Sequence, residues 1–415
     1  MPRGLGDIPD LRLEVLQGFV TKFTMPPELL LMNLFSAKQS PSSTIKWESQ
    51  TGSRGMTPFV PPGAPAPQTS PHGIAKHSAE AAYWKEKMYF DEEFLNNIRK
   101  EGTEQQYLGA QQRLARELAG LVNRSNRRKE WMFAKMLCDG EITYSARSGV
   151  KLAVDYDVPT SHAVSLTTNY QWESGTERDI LGDIITGKRQ VADDCGGKIK
   201  YALCTSKVLQ YVAQDPAILT LLQKSTFGNG DLFTGSKHGI VGVNPNVLGS
   251  LLDIENLVIY DEIYEARSWL TAAVTADSTV AISVDDVSDF EVGGTLRFHD
   301  VSAGTYEDEI ISAVGTEAGT VTVSTAPSTS YKAGEDYVSM KKKFIPDDKF
   351  VMFADKVEGQ DIAEYFEAPY GITRRYGLKT DTHEEWDPEG IFIRVQDKGL
   401  PVLIQRDAVY TIDVN

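Results

Sequence analysis

Residues 55–67 read Gly55-Met56-Thr57-Pro58-Phe59-Val60-Pro61-Pro62-Gly63-Ala64-Pro65-Ala66-Pro67. Proline locks φ and removes a backbone donor, so this stretch is neither helix nor central strand. Upstream, Thr44-Ile45-Lys46-Trp47-Glu48 alternates in character as a strand does. Downstream, 76–90 can return as a second strand. Two strands around a stiffened tip make a long protruding loop over 40–90. The same composition also suits a flexible interdomain linker. Against that reading, Trp47, Phe59, Tyr83 and Trp84 are residues of buried type, and a loop that carries them packs on something. For a chain that associates with itself, a neighbouring copy supplies that surface.

Beyond the loop, 103–138 contains no proline, and Leu108, Leu114, Leu118, Leu121, Val122, Met132 and Met136 recur at three- and four-residue steps. The spacing predicts one amphipathic helix of about 50 Å, ended by Asp139-Gly140. Its other face carries Arg113, Arg116, Arg124, Arg127 and Arg128. In so acidic a chain, such a stripe reads as a solvated or ion-paired face before a nucleic-acid site. Strands are expected at 141–144, 151–158, 199–203, 257–260 and 350–353, and helices at 177–194, 206–211 and 217–223. The mixture is α+β.

Residues 270–338 differ in texture. Val280, Ile282 and Val284 alternate, as do Val321 and Val323 with their polar neighbours, and Asp285-Asp286, Gly293-Gly294 and Gly315 punctuate the runs. This pattern predicts a small all-β barrel or sandwich. Its flanks, Tyr260-Asp261-Glu262-Ile263-Tyr264 and Phe344-Ile345-Pro346-Asp347-Asp348, read as one strand pair interrupted by an inserted domain. Closing a long insertion costs only about 0.6 kcal/mol per doubling of its length.

No chemistry announces itself. The six histidines, His72, His77, His162, His238, His299 and His383, form neither HExxH nor HxH. Phe227-Gly228-Asn229-Gly230-Asp231 and Gly239-Ile240-Val241-Gly242 lack the ending of a phosphate loop and read as turns. The acidic pairs Asp155/Asp157, Asp193/Asp194, Asp285/Asp286 and Asp347/Asp348 are unsurprising among 58 acidic residues. Cys138, Cys195 and Cys204 show no CxxC spacing and read as buried thiols of a cytosolic protein. We therefore expect no catalytic, cofactor-binding or metal-binding residues. A net charge of −16 argues against direct nucleic-acid binding. The N-terminus has no signal-peptide pattern, and the apolar run 29–35 is too short to span a membrane.

In order along the chain, Trp47-Glu48, the 55–67 segment, Asn126-Arg127-Arg128-Lys129-Glu130-Trp131-Met132, Leu137 to Tyr144, Val154-Asp155-Tyr156 and Trp172 resemble one family, as do Tyr260 to Tyr264, Ile345 to Asp348 and Leu400 to Tyr410. That family is the lambda-type major capsid protein E of tailed bacteriophages. The match covers all but the N-terminal arm and the 270–338 insert. The resemblance implies a Hong Kong 97-type capsid fold: an N-terminal arm (1–39), an E-loop (40–90) and a peripheral domain (91–172) with its spine helix at 103–138. An axial domain with returning peripheral strands (173–269 and 339–415) would follow, interrupted by the β insert. It implies self-assembly into hexamers and pentamers of an icosahedral shell around double-stranded DNA, bound without sequence specificity. It also implies a separate scaffolding protein, a portal protein and room for a decoration protein. Such a subunit is assembled in the host bacterial cytoplasm, resides in the virion and does not meet a membrane. Candidate intersubunit residues are Trp47, Phe59, Tyr83, Trp84, Arg127 and Arg128. The insert could serve as an outward decoration or adhesion module, or as a passive spacer. Two other readings remain open: an encapsulin-like compartment shell, and a hydrolase with a β accessory domain.

Overall fold

The computed structural model describes residues 29–50, 56–63, 65–66, 68, 74–91, 104–145, 151–224, 245–315, 319–387 and 389–415. A short helix α1 (Leu31–Leu34) precedes β1 (Ser36–Gln39), β2 (Thr44–Gln50), β3 (Ile74–Glu80) and β4 (Ala82–Asp91). The helix expected at 103–138 is α2 (Glu104–Cys138), about 52 Å long at 1.5 Å per residue. It ends where Gly140 takes a left-handed φ of 68°. Next come β5 (Glu141–Ser145), β6 (Lys151–Asp155), β7 (Ala163–Ser165), α3 (Ile180–Cys195), β8 (Ile199–Cys204), α4 (Ser206–Gln214), α5 (Pro216–Lys224), α6 (Pro245–Leu251) and β9 (Asn256–Ile259). The inserted region supplies β10 (Ile263–Trp269), β11 (Ala281–Ser283), β12 (Thr295–Asp300), β13 (Thr305–Gly315), β14 (Thr320–Val323) and β15 (Tyr337–Lys343). The chain closes with β16 (Lys349–Ala354), β17 (Lys356–Val357), β18 (Gln360–Asp361), β19 (Ala363–Glu367), β20 (Lys379–Trp386), β21 (Glu389–Leu403) and β22 (Val409–Asp413).

One five-stranded sheet has the order β7-β22-β16-β8-β9. Its central strand β16 is apolar without alternation, and Phe350, Val351, Met352 and Phe353 are all buried, as a strand covered on both faces requires. Helix α3 approaches this sheet so closely that a Cβ on Gly187 would lie 2.6 Å from Met352 Cε and from the Tyr410 ring. A second sheet runs β1-β19-β21-β20, with β4 also paired to the 15-residue β21.

The single returning strand expected at 76–90 is two strands. Ala81, buried and hydrogen-bonded from its N–H to Ser43 O at 3.0 Å, breaks it. The first half pairs with β2 from Thr44↔Glu80 to Gln50↔Ile74, and the second joins β21 from Ala82↔Gly399 to Asp91↔Gly390. Two different sheets therefore share one chain direction.

The insert is a closed barrel. Its strands run β10-β15-β12-β13-β14-β11, and an antiparallel bridge between Leu270 and Val284 joins the last strand to the first. Ile282, Leu296, Phe298, Val321 and Val338 are fully buried in a core separate from that of the rest. Entry and exit strands are β10 and β15, registered from Ile263↔Lys343 to Trp269↔Tyr337. That pair lies several residues further in than the flanks read from sequence, and it belongs to the barrel itself.

The N-terminal anchor, α2 and the route into the barrel meet at Glu130, which has no solvent exposure. Its carboxylate accepts the N–H of Leu31 (2.8 Å) and of Met32 (2.9 Å), and the Tyr260 hydroxyl donates to it as well. Phe35 then stacks on Phe133 of α2 with centroids 5.3 Å apart. One residue from Glu130, Lys129 pairs with Asp397 of β21 at 2.5 Å, both buried. Burial raises the Glu130 pKa, and the three donors only partly offset it. The folded state therefore keeps its Glu130 proton to a higher pH than the unfolded chain does. The stability this contributes is present below the ordinary carboxylate range and is lost as pH rises through the raised value. Glu130→Ala strands three buried donors and should cost about 3–5 kcal/mol in urea unfolding at neutral pH. The gap between wild type and variant should widen as pH is lowered toward the ordinary carboxylate range.

Candidate assembly surfaces

Strand β2 alternates in burial: Ile45, Trp47 and Ser49 face inward, while Thr44, Lys46 and Glu48 face solvent. The Trp47 ring stacks on His77 (5.3 Å) and lies against Tyr156 (6.1 Å), while Ser49 Oγ meets His77 Nε2 at 2.8 Å. Trp47 is thus spent on its own subunit, holding the base of the hairpin rigid. The tip is the opposite case. Met56 is 92% exposed and Phe59 105%, both in chain that is neither helix nor strand.

The other expected interface residues sit further along. Tyr83, 45% exposed, donates its hydroxyl to Gln396 Oε1 at 2.8 Å. Its neighbour Trp84 points to the other side of β4, where its Nε1–H donates to Ser125 Oγ of α2 at 2.7 Å. Arg127 is exposed on α2. The Arg128 guanidinium lies 5.1 Å from the Trp131 ring centroid and 5.3 Å from that of Tyr144. Trp84, Arg127 and Arg128 therefore converge on one place, which Trp47 and Phe59 do not share.

That place is a groove of about 860 Å³ between α2, β4 and the barrel. Its far wall is made by Ile263, Arg267, Trp269 and Phe290 of the insert. Sequence reading did not nominate these four. The alternation of β10 put Trp269 on an outer face, but no local pattern says that this face looks at a helix more than a hundred residues upstream.

Outside the groove, several titratable groups are held in contacts within the subunit. His162 is fully buried, with Nδ1 at 2.9 Å from Val409 O and Nε2 at 2.7 Å from Asp194 Oδ2, so both ring nitrogens are committed. That hydrogen bond draws the Asp194 pKa down. His299 stacks on Tyr337 at 4.4 Å. Burial pushes the Cys138 thiol up to about 12 and that of Cys204 higher still, so neither is a nucleophile at neutral pH. Among the described residues, no group of three or more His, Cys, Asp and Glu is placed to hold a metal ion. No described helix is long and apolar enough to cross a membrane. The two turns that resembled phosphate loops, with His72 and His238, lie outside the described residues.

A protein described as the capsid protein of a prophage of Escherichia coli CFT073 has the same fold. The two superpose with a TM-score of 0.52 at 13% identity, over 97% of this chain and 99% of the other. A phage-related protein from Bordetella bronchiseptica RB50 superposes at 0.49 with 11% identity, over 97% and 96%. A virus-like particle protein from Pyrococcus furiosus does so at 0.42 with 8% identity, over 96% and 98%. No curated protein sequence matches this chain. The architecture is that of the shell proteins of tailed phages, the mixed α+β fold of Hong Kong 97 type. Residues 14–317 match the phage major capsid protein E family, and the chain belongs to that family: it is a subunit of a phage capsid shell.

Geometry separates the two aromatic residues of the hairpin. Trp47→Ser should lower the unfolding free energy by about 3–5 kcal/mol. Phe59→Ser should leave it within about 0.5 kcal/mol of wild type, since that side chain stands fully exposed. Urea titrations of both variants measure the contrast.

Proposed function

We propose that this chain builds an icosahedral head as hexamers and pentamers that enclose double-stranded DNA without reading its sequence. The β2–β3 hairpin and its tip act as the E-loop, α2 as the spine helix and the β16-centred sheet as the axial domain, which the barrel interrupts. The subunit has no catalytic task. Assembly takes place in the host bacterial cytoplasm on a separate scaffolding protein, and a portal protein occupies one vertex. A decoration protein is a further candidate partner.

One observation carries this reading: the large apolar side chains Met56 and Phe59 stand almost fully in water at the end of a hairpin whose base is locked by Trp47. Leaving one phenyl ring exposed forgoes roughly 1.5–3 kcal/mol, and a many-copy shell recovers that at every contact. Obligate interfaces gather such residues in their apolar centres, in areas of about 2,000–5,000 Å².

Negative-stain microscopy and sedimentation of the full chain, expressed with its scaffolding partner, test the reading. Closed particles of uniform size are expected, and Met56→Ser with Phe59→Ser should leave a folded subunit that no longer assembles. A chain that stays monomeric at every concentration would sink the proposal. Particles filled with an enzyme instead of DNA would point to a compartment shell.

A further inference from the structure

Strand β4 is paired along one edge only. Its residues are matched to β21 from Ala82↔Gly399 to Asp91↔Gly390, and among the described residues no strand joins the other edge. That open edge borders the groove between α2 and the barrel. Trp84, Lys85, Glu86 and Lys87 all line it. Alternate side chains of a strand leave by opposite faces, so four consecutive lining residues mean that the groove runs along the edge and not over one face. An unpaired edge presents a row of backbone donors and acceptors to any chain that comes alongside.

The other walls have the composition that protein contacts bury. On the barrel side, Ile263 is 46% exposed and Trp269 49%. The groove also has a sign. Seven Lys and Arg side chains line it against four Asp and Glu, in a chain whose net charge is −16. Arg124 is matched by Glu86 at 2.7 Å and Arg267 by Glu265 at 2.8 Å. Among the described residues, no ion pair uses Arg127, Arg128 or Lys341. Aromatic residues and arginine are the types enriched where protein surfaces meet.

Resting on the shell reading above, we propose that this groove is an intersubunit contact, in which an extended acidic stretch of a second copy of this chain lies along the open edge of β4, between α2 and the barrel. Two subunits that each carry a charge of −16 repel, and their approach costs least where one of them offers an excess of cations. A second copy also brings a polypeptide backbone to pair with the edge. Duplex DNA has none, and it would meet four carboxylates on the same walls. The contact is heterologous, since a cationic cleft in one subunit meets an acidic surface of the other. The barrel is then one wall of a subunit contact and not a spacer.

Photocrosslinking in assembled particles tests the contact whichever stretch enters. The full chain with Arg127→benzoylphenylalanine or, separately, Trp269→benzoylphenylalanine is irradiated in particles mixed from isotope-labelled and unlabelled copies. A product of twice the subunit mass is expected, with the label showing that it joins two copies and with an acidic peptide at the crosslink. Amide hydrogen exchange at 84–87 should slow by about a hundredfold between the free subunit and the particle, as a newly paired edge requires. Arg127→Glu with Lys341→Glu should cut particle yield by about tenfold or more, with the urea midpoint of the free subunit unchanged. A crosslink confined to one subunit, or one that reaches a different protein or DNA, would overturn the proposal. So would unchanged exchange at 84–87, or a wild-type yield from the charge-reversed pair. Absence of particles from the unsubstituted chain would instead sink the shell reading itself.

Discussion

A carboxylate without water must find donors. Glu130 finds them on two segments distant in sequence, the backbone N–H groups of Leu31 and Met32 and the hydroxyl of Tyr260. Each donor would otherwise be buried unpaired, so the three elements hold one another in place. The start of the described chain is pinned to the long helix, and so is the strand that leads into the barrel. With Lys129 binding Asp397 in the adjacent position, α2 is also locked to β21. The relative placement of the hairpin, the helix and the barrel depends on this buried stretch of α2.

The candidate assembly surfaces follow from that placement. Since β21 is fixed to α2, the strand β4 paired along it lays Trp84 over Ser125 and sets one wall of the groove. Since Tyr260 is fixed to the same helix, β10 leaves close to it and the barrel becomes the other wall. What stays exposed is equally defined: an apolar tip beyond a hairpin locked by Trp47. A thin shell needs contacts that tie subunits over distance. Extended strands and a long helix provide such reach, where a compact body offers only its outline.

Much of this was legible in the chain. The 3.6-residue period outlined α2 to within a residue, because a helix half-covered by a core must repeat its apolar face. Alternation between Gly and Asp punctuation marked the β insert, and the same signal exposed Ile45 and Trp47 as one face of a strand. Other features were not legible. Ala81 splits a run that reads as one continuous strand, and nothing in its own chemistry marks it; the break exists because two sheets compete for the chain there. Trp47 looked like a residue for a neighbour and is core, since aromatic character reports a need for burial and not against what.

The amino-acid sequence by itself determined the element types, the family and the net negative charge. These depend on local periodicity, residue chemistry and ordered short patterns, all of which survive in an unfolded chain. Only the tertiary structure decided that Glu130 joins three segments, that the insert closes into a barrel through Leu270 and Val284, and that Arg127, Arg128 and Trp269 face one groove. Those are contacts between positions far apart along the chain. Their energy exists only once backbone entropy has been spent to bring them together, and no local pattern records that outcome.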